Sequence, residues 1–134
     1  MQTIDAAQVT QEDIEELSPF ARDLVRIAGL DEAVALFNTL GGQLIGIPKG
    51  RNNNAKGKLA YERLESVIGA DATVRLCKEF GGERVEIPRC HALRNELRAR
   101  AIRRDYDAGT AVNDLVARHD VSHRAIEKIL KRAA

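Results

Sequence analysis

Near the C-terminus, Ser122, His123, Arg124, Glu127, Lys128 and Lys131 bring together a hydroxyl, an imidazole, a guanidinium, a carboxylate and two ammonium groups. Residues three and four apart share one face of a helix, and the apolar Ile126, Ile129 and Leu130 of the same segment fall on the other. A helix face of that chemistry suits hydrogen bonds to base edges and ion pairs with phosphates in a DNA major groove. These six, with Thr110 and Arg89, form the candidate DNA-binding set.

Such a face works only if a second helix fixes its angle. Leu115-Val116, then Asp120-Val121-Ser122, then Ile126 and Ile129 have the spacing of a helix-turn-helix. The turn needs a residue that tolerates the left-handed conformation, and Asp120 can serve in place of the usual Gly. Val121 then plugs the angle between the helices and Ser122 caps the second one. Upstream, Ala92, Leu93, Leu97, Ala101 and Ile102 form the apolar stripe of a helix reaching about Tyr106, with Arg94, Arg98, Arg100, Arg103 and Arg104 predicted on its other face. Asp107-Ala-Gly109 breaks that helix, and Thr110 is placed to cap the next, which carries Val112, Leu115 and Val116.

The rest of the chain repeats itself. Residues 27–49 align without a gap on residues 67–89, matching Gly29 to Gly69, Asp31 to Asp71, Val34 to Val74, Leu36 to Leu76, Gly41-Gly42 to Gly81-Gly82, and Ile47-Pro48 to Ile87-Pro88. Amphipathic helices can share Val and Leu by chance, but not a Gly-Gly and an Ile-Pro in one register. Each copy reads as helix, helix, single strand. Ser18-Pro19 starts the first helix, which carries Phe20, Leu24, Ile27 and Ala28; Gly29 ends it in a left-handed cap, and Asp31 caps the second helix. The second copy is predicted as helices from about 58 to 68 and from 71 to 80. Strands are expected at 43–47 and 83–87, each closed by a proline. A lone strand leaves backbone groups unpaired, so the two strands should pair with each other, antiparallel about a pseudo-two-fold axis. The nine residues from Gly50 to Lys58 read as a flexible polar connector in preference to a phosphate-binding arm, and such a length reaches roughly 30 Å. Residues 1–17 read as a frayed or weakly helical acidic tail.

Composition bounds the rest. With 134 residues, no Trp and few aromatics, the core must come from Leu, Ile, Val and Ala. No apolar run approaches a membrane span, so no membrane partner is expected. Two unpatterned cysteines fit a reducing, cytoplasmic address, bacterial or viral. The net charge of +1 hides an asymmetry: residues 1–88 hold ten Lys/Arg against fourteen Asp/Glu, and residues 89–134 eleven against six, or −4 and +5. The basic end is where an anionic partner would bind. His119, Asp120 and His123, or Cys77, Cys90 and His91, lack metal-ligand spacing. No cofactor, metal site or catalytic residue is assigned, and the chain is read as non-enzymatic.

The stretch from Gly81 to Arg132 resembles the Mor/C family of phage transcription activators. The residues carrying the resemblance are Gly81-Gly82, Ile87-Pro88-Arg89, Ala92-Leu93, Asp105-Tyr106, Gly109, Leu115, Arg118, Val121, Ile126 and Lys128. The resemblance implies strands that pair across a two-fold axis, a C-terminal helix-turn-helix on each subunit, an imperfectly symmetric promoter site, and recruitment of bacterial RNA polymerase. The chain departs from the family in three ways. The copy at 20–49 is extra; Glu86 and Gly46 stand before Ile-Pro where an aromatic is usual; and Cys90 replaces the usual Gly after Ile-Pro-Arg.

The expected fold is mainly α with a small two-stranded antiparallel sheet, as tandem helix-helix-strand units followed by a C-terminal helix-turn-helix. The boundaries are 1–17 tail, 18–49 first unit, 50–58 linker, 59–88 second unit and 89–134 DNA-binding domain. The expected function is sequence-specific regulation of transcription, with double-stranded DNA and bacterial RNA polymerase as partners. The chain is expected to form a pseudo-dimer within itself, with homodimerisation through another surface as a second option. The alternative is an interaction protein that antagonises a related activator.

Overall fold

The computed structural model describes residues 2–50 and 55–132. It divides into two compact units, one of residues Thr3–His91 and one from Ala92 onward to which Gln2 also belongs.

In the first unit a 3-10 turn, Ala6–Gln8, precedes α1 (Gln11–Glu15), α2 (Pro19–Ala28), α3 (Leu30–Leu40), β1 (Leu44–Gly46), α4 (Ala55–Ile68), α5 (Ala70–Phe80) and β2 (Arg84–Glu86). Ser18 caps α2 by accepting from the Ala21 amide, with Pro19 at the first helical position. Gly29 ends α2 and starts α3 at once, with φ 104° and ψ 158°. Its φ is positive as expected, but its ψ is extended rather than left-handed helical. Because Gly29 takes the cap position, Asp31 is not the cap; it lies in the first turn of α3, where a carboxylate favours the positive end of the helix dipole.

β1 and β2 pair antiparallel, Leu44 opposite Glu86, Ile45 opposite Val85 and Gly46 opposite Arg84. The flanking bonds repeat at an offset of 40. The Gly42 amide donates to the Ile87 carbonyl and that of Gly82 to the Ile47 carbonyl; the Ile47 amide donates to the Glu83 carbonyl and that of Ile87 to the Gln43 carbonyl. Ile47 and Ile87 are buried, Ile45 and Val85 half-buried, and Leu44, Gly46, Arg84 and Glu86 exposed. That alternation is the one expected of short strands covering a core on one side.

α2 packs on α3 and α5, and α4 on α3 and α5. The buried positions recur at the same offset: Ala21 and Tyr61, Leu24 and Leu64, Ala28 and Ile68, Ala33 and Thr73, Leu36 and Leu76, Phe37 and Cys77, Ile47 and Ile87. Phe20 and Phe80 add an edge-to-face ring pair at 5.3 Å. Arg75 of α5 donates from Nε to the Ile27 carbonyl and from Nη2 to the Ala28 carbonyl, which satisfies two orphan acceptors at the end of α2.

The N-terminal segment and the connector also differ in detail from expectation. Of the two alternatives for the N-terminal segment, frayed or weakly helical, the structure has the second, with helical turns at Ala6–Gln8 and Gln11–Glu15. The Ile4 amide donates to Asn38 Oδ1 and Asn38 Nδ2 donates back to the Ile4 carbonyl, both at 2.9 Å, with Ile4 buried; Thr10 and Asp13 then form a capping box on α1. The connector is also shorter than expected, because α4 begins at Ala55 rather than about Lys58. Ala and Lys are strong helix formers, and the one Gly among them, Gly57, costs only about 1 kcal/mol. The remainder of that connector, residues 51–54, lies outside the described residues.

The second unit contains α6 (His91–Asp107), α7 (Val112–His119) and α8 (His123–Arg132). Its core is Ile102, Leu115 and Ile126, fully buried, with Val112, Val116, Val121, Ile129 and Leu130 packed around them. On α6 the buried stripe is Leu93, Leu97, Ala99 and Ile102; Ala92 is exposed and Ala101 half-buried. Arg94, expected on the solvent face, is buried and donates from Nη1 to the Gln2 carbonyl. It stands one turn before Leu97, at the edge of the buried stripe.

Candidate nucleic-acid interface

The angle between α7 and α8 is set by Asp120, which sits in the left-handed region at φ 51° and ψ 49°. Asp is among the few non-glycine residues that visit this region routinely. Val121 follows, half-buried against the three-residue core. Ser122 Oγ accepts from the Ala125 amide at 3.0 Å and the Ser122 carbonyl from the Ile126 amide at 3.1 Å, which starts α8. The helix-turn-helix arrangement read from the spacing is therefore the one built.

A residue that the spacing did not single out anchors this turn to α6. Asp105 Oδ2 lies 2.8 Å from His119 Nε2 and 3.2 Å from Arg118 Nη1. The hydrogen bonds from His119 and Arg118 hold its carboxyl below the usual Asp range. Both partners lie in the last turn of α7, where cationic and donor groups also favour the negative end of the helix dipole. Thirteen and fourteen residues separate these partners from Asp105, so no helical periodicity reveals the pairing.

Ser122, His123, Arg124, Glu127, Lys128 and Lys131 are all exposed along α8, while Ile126 is fully buried. His123 Nδ1 lies 3.4 Å from Glu127 Oε1, an i,i+4 pair on the exposed surface. Thr110 does not cap α7. The N-cap is Ala111, with no side-chain bond, because the Thr110 amide is drawn back to the Asp105 carbonyl and the helix starts one residue later. Arg89 belongs to the other unit, where its guanidinium lies over Gly42; a Cβ on Gly42 would collide with Arg89 Nε. The structure thus gathers the α8 residues into one surface and leaves Arg89 and Thr110 with local partners.

On α6, Arg100 Nε and Arg103 Nη2 lie 3.2 and 3.4 Å from Glu96 Oε1. Among the described residues no group of three His, Cys, Asp or Glu is placed to hold a metal ion. Cys77 and Cys90 are free thiols, and burial pushes the Cys77 thiol above its ordinary range. Among the described residues no helix is long and apolar enough to cross a membrane.

Comparison with known proteins adds to this geometry. Residues 52–134 match the model of the Mor transcription activator family. A protein of Escherichia phage Mu named Middle operon regulator is 30% identical over 81 residues, covering 60% of this chain and 62% of the relative. The chain thus spans about three fifths of the length of that curated relative. No solved structure matches. The family match takes in α4, α5, β2 and the whole helix-turn-helix just described, so the chain belongs to the Mor transcription activator family.

Proposed function

We propose that this chain is a sequence-specific DNA-binding regulator of transcription, an activator of phage or prophage promoters that recruits the RNA polymerase of its bacterial host. The observation that carries the reading is the exposed row of α8, Ser122 to Lys131, presented by a turn with Asp120 left-handed and Ser122 as cap. Membership of the Mor family supports the direction of regulation. The protein works by binding, without catalysis or a cofactor, in the bacterial cytoplasm.

The first unit is a pseudo-dimer that arose by internal duplication, a reading supported by the seven pairs of buried residues and four strand-flanking bonds that recur 40 residues apart. One chain then carries one helix-turn-helix at 89–134 and reads one half-site; two chains joined through another surface read two. Sequencing the DNA that co-purifies with the chain, then testing those fragments by gel shift, examines the reading. Arg124→Ala or Lys128→Ala should weaken binding by about 1–3 kcal/mol where the side chain makes a bidentate base contact. Unchanged binding with an intact circular dichroism spectrum would remove α8 from the interface.

A second reading, an antagonist of a related activator, is favoured by one observation. Both strands are paired within the chain, so they are not left to pair with an identical subunit as the family resemblance implies. Capture of a related activator together with absence of DNA binding would select it.

A further inference from the structure

α6 and the end of α8 border a shallow, wide-open cationic cleft lined by Arg100, Arg103, Arg104, Asp107 and Arg132, with a volume of about 600 Å³. Counting Glu96, which pairs with Arg100 and Arg103, four guanidinium groups face two carboxylates, an excess of two positive charges. Arg124, Lys128 and Arg132 are spaced i, i+4 and i+8 along α8, so Arg132 belongs both to the stripe of exposed cations and to the cleft. The cationic surface therefore continues from α8 onto α6.

Arginine is suited to this position. Its planar fork donates two parallel bonds to a phosphate and its charge does not titrate. Phosphates border the major groove on both sides, so a cleft continuous with a helix lying in that groove meets the backbone rather than the bases.

We infer that this cleft is a DNA-backbone clamp in which Arg104 and Arg132 bind a phosphate flanking the bases met by α8. The inference rests on the DNA-binding reading and names an interaction that reading does not require. Its role is to hold register and add affinity for any sequence.

The test uses the full chain, a duplex recovered with it, and a scrambled duplex of equal length. Arg104→Gln with Arg132→Gln should weaken binding to both duplexes by the same factor and lower the slope of log K against log salt by about one for each phosphate no longer neutralised. Lys at both positions should restore much of the slope, because Lys also binds phosphate as a point charge. Unchanged affinity and slope in the Gln variant, with Arg124→Ala still weakening binding, would overturn the clamp and leave the DNA-binding reading standing. A reduction confined to the recovered duplex would make these arginines base readers and overturn it equally. Arginine-dependent binding of inorganic pyrophosphate without any effect on duplex affinity would assign the cleft to a free phosphate ligand instead. Failure of the unaltered chain to bind any duplex would remove both readings.

Discussion

Where α3 buries Phe37, α5 buries Cys77; where α2 sets Phe20 against Phe80, the equivalent pair in the other half is Ala60 and Leu40; and Val34 is 5% exposed while Val74 is 54% exposed. The backbone plan of the two helix-helix-strand units is shared, and its filling is not. Around Leu40, Leu44, Ala60 and Leu64 the smaller side chains leave a groove of about 240 Å³. Val74 lines another, of about 400 Å³, with Tyr61, Cys77 and Lys78. On the equivalent face of α3, Asn38 holds the backbone of Ile4, whereas Lys78 of α5 stands in that place without the two-way amide bond an Asn can make. Strand pairing and glycine turns are thus symmetric, and side-chain volume carries the asymmetry.

The sharpest way to test that difference is Phe37→Ala against Cys77→Ala. The first should destabilise the chain by about 3–5 kcal/mol and the second by about 1 kcal/mol, measured by urea unfolding. Equal effects would mean that the halves share the load in spite of their packing. Gly41→Ala and Gly81→Ala should cost about 1–3 kcal/mol each, to similar degrees, because the added methyl meets the Phe37 carbonyl and the Pro88 backbone in one case and the Cys77 carbonyl and the Lys49 backbone in the other. A tolerated substitution at one glycine alone would break the equivalence of the turns. Phe80→Leu makes the second half resemble the first at this position and should cost about 0.5–1.5 kcal/mol through removal of the ring pair. The smallest effect is expected at Cys90, whose φ of 58° strains a side chain. Cys90→Gly should stabilise by up to about 1 kcal/mol, while Gly50→Ala at the equivalent position, open to solvent space, should stay within about 0.5 kcal/mol.

The features legible in the chain were those that depend on backbone geometry. Gly-Gly and Ile-Pro at matching positions marked both strands to within a residue of their ends, and Asp120 with Ser122 marked the turn before α8. These are local constraints, satisfied within four or five residues. What escaped reading was set by distant partners. Ile4 is held by Asn38, 34 residues away; Arg94 is buried with a bond to Gln2; and Asp105 reaches His119 across a helix break. Nothing in the spacing of Thr110 showed that its amide would be drawn back to the Asp105 carbonyl and pass the cap position to Ala111.

The pairing of Ile45 with Val85 fastens two points 40 residues apart. The entropy cost of closing a loop grows only with the logarithm of its length, so doubling the stretch between β1 and α4 would add roughly 0.6 kcal/mol. The connection between the halves is therefore free to lengthen, shorten within reach or accept an insertion while the register stays centred on that pair. Selection acting on this chain would conserve the two glycine turns and the buried positions of α4 and α5, and let the connector between β1 and α4 drift in length.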